Sequence, residues 1–219
     1  MLNLPCRVAN FEPGTYLVRQ GDIATSTCLV LSGFVCRTKI SGNGSRQILS
    51  IHLKGDLIDL HNSFLAEADC NVQALTHVTV ALIPSRAIID LVEIRPKIRH
   101  ALWLDILTDA SISREWLLNI GQRNALERVA HLICEMALRQ DAAGISKSTI
   151  YEWPMTQEQL GDATGLTAVH INRMLKTLRN DDIVSVNKRT FIIKDWYKLR
   201  SVADFTQGYL YQLNLSPSA

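Results

Sequence analysis

The chain has 219 residues, 47% of them hydrophobic and 20% charged, and a formal net charge of +2. That length suits one large or two ordinary domains, the second being the better fit. The composition is that of a globular protein, and no run of eighteen apolar residues offers a membrane span. So small a net charge leaves any nucleic-acid contact to local placement of Arg and Lys.

The stretch from Met1 to Arg7 lacks the basic start, apolar run and cleavage site of a secretory leader, which points to a cytoplasmic location. Cys6, Cys28, Cys36, Cys70 and Cys134 are an odd number at wide spacing without a C-x-x-C pair. That argues against a zinc ribbon, a disulfide framework and a thioredoxin motif.

From Phe11 to Ile83 short apolar runs alternate with glycine: 15–18, 28–31, 34–37, 47–51, 57–58 and 78–83. Regular short strands with turn signals predict an all-β barrel or sandwich. Gly14, Gly21, Gly33, Gly42, Gly44 and Gly55 mark its corners, and Ser41-Gly42-Asn43-Gly44 predicts a hairpin turn. After Pro84 a short helix over 85–93 turns Ile88, Leu91 and Val92 to one side.

Pro96 opens a longer helix that runs to about Gln122. Leu102, Ile106, Ala110, Ser113, Leu117 and Ile120 recur along it at spacings of four and three, close to a coiled-coil seam, with Trp103, Leu107 and Trp116 beside them. Such a stripe can pack on its own domain or on a second copy. Its place between a β domain and a second, C-terminal unit favours the second copy. A hinge is expected at Gly121 to Asn124, and Leu126, Val129, Leu132, Ile133, Met136 and Ala137 predict another helix. A loop over 144–148 and a strand over 149–153 follow.

Residues 154–178 predict two helices and a tight turn. Thr156 and Gln159 form a capping box, Gly165 supplies a left-handed exit, and Thr167 caps the second helix. At 100° per residue Ile171, Met174, Leu175 and Leu178 share one face, while Val169, Asn172, Arg173 and Lys176 point away from it. This division suits a helix-turn-helix, although alone it also fits an ordinary αα-hairpin. The β-rich runs 182–186 and 190–193, separated by Asn187-Lys188-Arg189, favour a winged helix with a basic wing tip. Phe205, Tyr209 and Leu213 suggest a tail that packs back, and 216–219 are expected to fray.

A glycine-cornered β domain, a long helix and a C-terminal winged helix, in that order, resemble the Crp-Fnr family of bacterial transcription regulators over nearly the whole chain. The residues that carry the likeness are Glu12-Pro13-Gly14 to Gly21-Asp22, Leu31-Ser32-Gly33, Gly55-Asp56-Leu57-Ile58, and 156–178 with Arg173 and Leu175 in place. The resemblance implies an α+β protein: a cyclic-nucleotide-binding-type β-roll over 1–95, a long dimerisation helix and hinge over 96–123, and a winged helix-turn-helix over 124–219. Its partners would be double-stranded DNA with a palindromic operator, a second copy and RNA polymerase, with no membrane.

The resemblance places an effector pocket at Asp56, Asp59, Leu60, His61, Asn62 and Cys70. Cyclic-AMP receptors of the family carry a glutamate for the ribose and an arginine for the phosphate. Here Leu60 and Ala68 hold those positions, with Glu67 and Asp69 nearby, and a buried phosphate without a cation is costly. Cyclic AMP is therefore disfavoured and the effector is left unassigned. Oxygen-sensing members hold an iron–sulfur cube with an N-terminal cysteine cluster, where this chain has Cys6 alone. Haem ligation could recruit His61 or His77, but no cofactor is assigned. A thiol switch at Cys6, Cys28, Cys36 or Cys70 would need an accessible site of low pKa.

For DNA, Arg173 matches the family's base-reading arginine and can take guanine O6 and N7 together. Ala168, Val169 and His170 open the helix. Val169 suits a thymine methyl, and His170 or Asn172 could reach a base edge or a phosphate. Thr156, Thr167, Lys176, Lys188 and Arg189 are expected at phosphates. The alternatives are an interaction module without DNA binding and a cupin-like metal enzyme using His52, His61 or His77 with Asp56, Asp59 or Glu67. The metal reading lacks a His-x-His pair.

Overall fold

Glycine corners and short apolar strands build an eight-stranded roll. The computed structural model describes residues 4–23, 25–65, 67–146, 149–187 and 189–211. The strands are β1 (Arg7–Phe11), β2 (Tyr16–Val18), β3 (Ser26–Ser32), β4 (Val35–Ile40), β5 (Arg46–His52), β6 (Leu57–Ile58), β7 (Asn71–Ala74) and β8 (Val78–Pro84). They form two antiparallel sheets in the orders β1-β8-β3-β6 and β2-β7-β4-β5. Between the sheets lie Cys28, Val30, Val35, Ile58, Val72, Ala74, Val78 and Val80. At the β3–β4 corner Gly33 has φ +84°, and any Cβ there would be driven into the His77 carbonyl. The β4–β5 turn is held by Asn43, whose Oδ1 accepts from the Ser41 hydroxyl at 2.6 Å and from the Ser45 amide at 3.0 Å.

Strands β1 and β7 were not expected from the sequence. In β7 only Val72 and Ala74 are apolar, yet it pairs with both β2 and β4 and lies inside its sheet. Pairing on both sides, rather than local propensity, makes it a strand.

Beyond the roll come α1 (Ser85–Ile94), α2 (Pro96–Gln122) and α3 (Ala125–Ala142). The break between α2 and α3 is set by Asn124, which caps α3 by accepting from the Leu126 and Glu127 amides while Glu127 answers its own N–H at 2.8 Å. Then follow β9 (Ile150–Glu152), α4 (Gln157–Thr164), α5 (Ala168–Asn180), β10 (Val184–Asn187), β11 (Thr190–Ile193) and α6 (Trp196–Val202). The last three strands form one sheet in the order β10-β11-β9. Helix α6, also not expected, is capped by Asp195. Beyond it Phe205 and Tyr209 pack on the ring of His131 in α3, with centroids 5.0 and 5.7 Å away. Leu213, and the frayed end expected at 216–219, lie outside the described residues.

One core crosses the molecule. Phe34, Cys36, Ile48, Ile51, Leu53 and Leu75 of the roll join Ile112 and Trp116 of α2, the inner face of α3, and the winged helix. Within it Glu135 of α3 is fully buried. Its carboxylate accepts from Trp116 Nε1 at 3.0 Å, Tyr209 OH at 2.9 Å and Arg139 Nη1 at 3.3 Å. Arg139 continues to Asp56 of the roll at 2.7 Å. Removing the carboxylate would take the partner from the buried Trp116 and from two half-buried donors, Tyr209 and Arg139. Glu135→Ala is therefore expected to lower unfolding free energy by about 3–5 kcal/mol in a denaturant titration; a loss within error of zero would show that the network is not needed for stability.

Candidate nucleic-acid interface

Thr156 accepts from the Gln159 amide at 3.2 Å and Gln159 answers the Thr156 amide at 2.8 Å, so the start of α4 is closed as expected. Gly165 leaves α4 at φ +68°, and Thr167 caps α5 through the His170 amide at 3.3 Å. Two residues that the sequence reading did not single out complete the turn. Gly161 lies where any Cβ would be driven into the Leu166 carbonyl, so the second helix can approach the first only over a glycine. Arg128 of α3 donates to Thr164 O at 3.2 Å and to Arg123 O at 2.8 Å, tying the end of α4 to the α2–α3 break. Gly161 inside a helix is a weak sequence signal; Arg128, 36 residues from its partner, has none.

Ile171, Leu175 and Leu178 are buried and Met174 is half-buried, while Ala168, Val169, His170, Asn172, Arg173 and Lys176 are exposed. Val169 is 79% exposed. Thr156 and Thr167 lie at the two helix starts. Arg189, on the wing, accepts the Trp153 amide at its carbonyl, which aligns β9 with the hairpin. Lys188 lies outside the described residues. The structure thus brings the expected residues of α4, α5 and the wing into one region of the chain's fold. Arg46 of β5 reaches across to Asp162 of α4 at 2.7 Å, joining the roll to the helix-turn-helix.

The expected effector residues are engaged internally. Arg37 pairs with Asp59 at 3.0 Å and with Asp109 of α2. Burial pushes the Asp59 carboxyl up, against the pull of Arg37. Leu60 is buried against Ile83 and Ile88. His61 lies 3.7 Å from Asp69, and His77 lies 2.8 Å from Glu12. The side chain of Asn62 lies outside the described part of the structure. Cys28, Cys36, Cys70 and Cys134 are buried, and burial raises each thiol to about 12, far from the thiolate a redox switch requires; Cys6 is exposed. Among the described residues no three His, Cys, Asp or Glu side chains gather to hold a metal ion.

On α2, Leu102 and Ile106 pack against Leu60 and Ile83 of their own roll and Ile88 of α1. Ala110 is half-buried, and Ser113 is exposed with its hydroxyl on the Asp109 carbonyl. Ile120 sits beside Gly165. The exposed apolar row is Trp103 (62%), Leu107 (55%) and Leu117 (73%), with Ala110 between them. It is offset by one residue from the expected stripe in its first half and shares Ala110 and Leu117 with it.

An antiparallel roll joined by a long helix to a winged helix with an exposed second helix defines a DNA-binding regulator. Residues 8–95 match the model of the cyclic nucleotide-binding domain, and 127–202 match that of the Crp-like helix-turn-helix domain. The chain is 30% identical to an anaerobic regulatory protein of Haemophilus influenzae, over 88% of this chain and 75% of that one. It is 27% identical to the nitrogen fixation regulation protein FixK of Rhizobium meliloti, over 91% and 89%. The fold is shared with FixK2 of Bradyrhizobium japonicum at a TM-score of 0.85 and 22% identity, over 93% of this chain and 100% of that one. The chain belongs to the Crp-Fnr family of transcription regulators, a family of DNA-binding proteins and not of enzymes. No helix among the described residues is long and apolar enough to cross a membrane.

The first of these domains implies a cyclic nucleotide, and the residues do not fit one. Arg37, the buried cation of this region, is already held between two carboxylates, and Leu60 and Ala68 offer neither a carboxylate nor a positive charge.

A cavity of about 290 Å³ lies where the roll meets α2 and α3, lined by His52, Asp56, Asp105, Asp109 and Arg139 among others. Burial, reinforced by Asp56 and Asp109, raises the Asp105 carboxyl to about 6. Its folded pKa lies above the unfolded one, so the cost of ionising it is absent below about pH 4 and complete above about pH 6. Asp105→Asn is expected to stabilise the protein by about 1–3 kcal/mol at pH 8 and by nothing at pH 4. Urea unfolding at the two pH values checks this, and equal effects at both would remove burial as the cause.

Proposed function

We propose that the protein acts as a homodimer that reads a palindromic operator by placing α5 of each subunit in the major groove, one helical turn of DNA apart. The observation that carries this is the exposed row Val169, Asn172, Arg173 and Lys176 on a helix whose opposite face is buried and whose start is capped. Arg173 reads guanine and Val169 meets a thymine methyl, with Ala168 small enough to allow close approach. His170 and Asn172 face base edges. Thr156, Thr167, Lys176, Lys188 and Arg189 contact phosphates and set register. RNA polymerase is the partner of the DNA-bound dimer.

The units are 1–95 as the roll, 96–123 as the dimerisation helix with its hinge, and 124–219 as the winged helix. The exposed row on α2, at heptad spacing, supports pairing with a second copy. Arg37–Asp109 and Arg139–Asp56 already join the roll to α2 and α3 without a ligand. They support operator binding without a small effector.

Selection of bound sequences from random duplex DNA by the ligand-free protein, at stated salt, is expected to yield a palindrome with half-sites about one helical turn apart. Enrichment of no motif would sink the proposal. Arg173→Ala is expected to lose about 1–3 kcal/mol at one base pair of each half-site and to relax its identity; an unchanged ratio of operator to scrambled DNA would remove Arg173 from base reading. Replacing Leu107 and Leu117 together by Glu is expected to give a monomer in sedimentation, whereas a persistent dimer would place the interface elsewhere.

A further inference from the structure

Asn172 faces outward on α5, yet its side chain is not left to solvent alone. Gln157, the first residue of α4, donates from Nε2 to Asn172 Oδ1 at 3.2 Å. Both backbones are set: Gln157 follows Thr156 of the capping box, and Asn172 follows Ile171, which is fully buried.

We propose that Gln157 is a positioning residue that presets the Asn172 amide to read an adenine in each half-site; this rests on α5 being the base-reading helix. Adenine shows the major groove a donor, N6–H, and an acceptor, N7. A carboxamide matches them only with its oxygen toward N6 and its nitrogen toward N7. The terminal torsion of an asparagine is broad and nearly two-fold, so an unsupported side chain also populates the reversed, mismatched orientation. The amide oxygen has two lone pairs. Gln157 occupies one and leaves the other, together with both Nδ2–H groups, for the base. Reversing the order then requires both carboxamides to turn over together, and the pair holds the Asn172 side chain in place before DNA arrives, which lowers the ordering cost of binding. Arg173, one residue on, accepts from Thr177 at its carbonyl, while its guanidinium has no partner among the described residues and offers donors only, so it suits guanine and not adenine. Adjacent residues of one helix therefore ask for different purines.

The test uses the full chain and its selected operator. Each adenine is replaced in turn by 7-deazaadenine, which keeps base pairing but lacks N7, and each guanine by 7-deazaguanine. For the wild-type protein one adenine per half-site is expected to weaken binding roughly ten-fold when replaced. Asn172→Ala should abolish that sensitivity, and Gln157→Ala should reduce it roughly two- to five-fold while leaving the guanine sensitivity intact. Gln157→Glu presents only acceptors to Asn172, turns the amide over and should remove the adenine sensitivity entirely. A merely structural Gln157 would leave the sensitivity unchanged in both variants, and that result overturns the inference. So does a wild-type protein sensitive to 7-deazaguanine but to no 7-deazaadenine, which spares the reading of bases by α5. Insensitivity to both analogues, or the lack of any selected operator, overturns that reading and the role of Gln157 together.

Discussion

Glu135 is the constraint on which the rest of the arrangement depends. A carboxylate with no access to water must find donors or cost several kcal/mol, and burial pushes its pKa up in the same sense. Its donors come from separate parts of the chain: Trp116 on α2, Tyr209 beyond α6, and Arg139 one turn along α3. Arg139 carries the network on to Asp56 at a corner of the roll. The long helix, the winged helix and the sensor corner must therefore take up one mutual arrangement for a single charge to be satisfied. The direction in which α5 points relative to α2 follows from it.

Two further arginines work in the same direction. Arg37 is shared between Asp59 of the roll and Asp109 of α2, and Arg46 connects the β4–β5 hairpin to Asp162 on α4. A ligand can shift a conformational equilibrium only by the difference in its affinity for the two states. In this chain Arg37 and Arg46 make the contacts that join the roll to α2 and α4 with charges built into the sequence.

Much of the DNA-facing unit was legible in the sequence because its determinants act within a few residues. The Thr156–Gln159 box, the left-handed Gly165, the Thr167 cap and the 100° spacing of Ile171, Leu175 and Leu178 are all local. The roll's corners were legible for the same reason. Strand β7 and helix α6 were not. The first has too few apolar residues and is made a strand by neighbours on both sides, and the second is a two-turn helix held by the packing around it.

The sequence by itself determined the order of the units and the helix-turn-helix with its inward and outward faces. Capping, turn geometry and side-chain chemistry are properties of short segments. Only the tertiary structure decided which stripe of α2 is free. Leu102 and Ile106 are as apolar as Trp103 and Leu107, and neighbouring positions on a helix differ by about 100°. The choice fell when Leu60 and Ile83 of the roll and Ile88 of α1 covered the first pair. Tertiary structure likewise decided that Arg46 meets Asp162 across 116 residues, that Arg128 closes the turn, and that Gln157 meets Asn172. Partners so far apart in the chain carry no periodicity to read, and only the folded chain brings them within bonding distance.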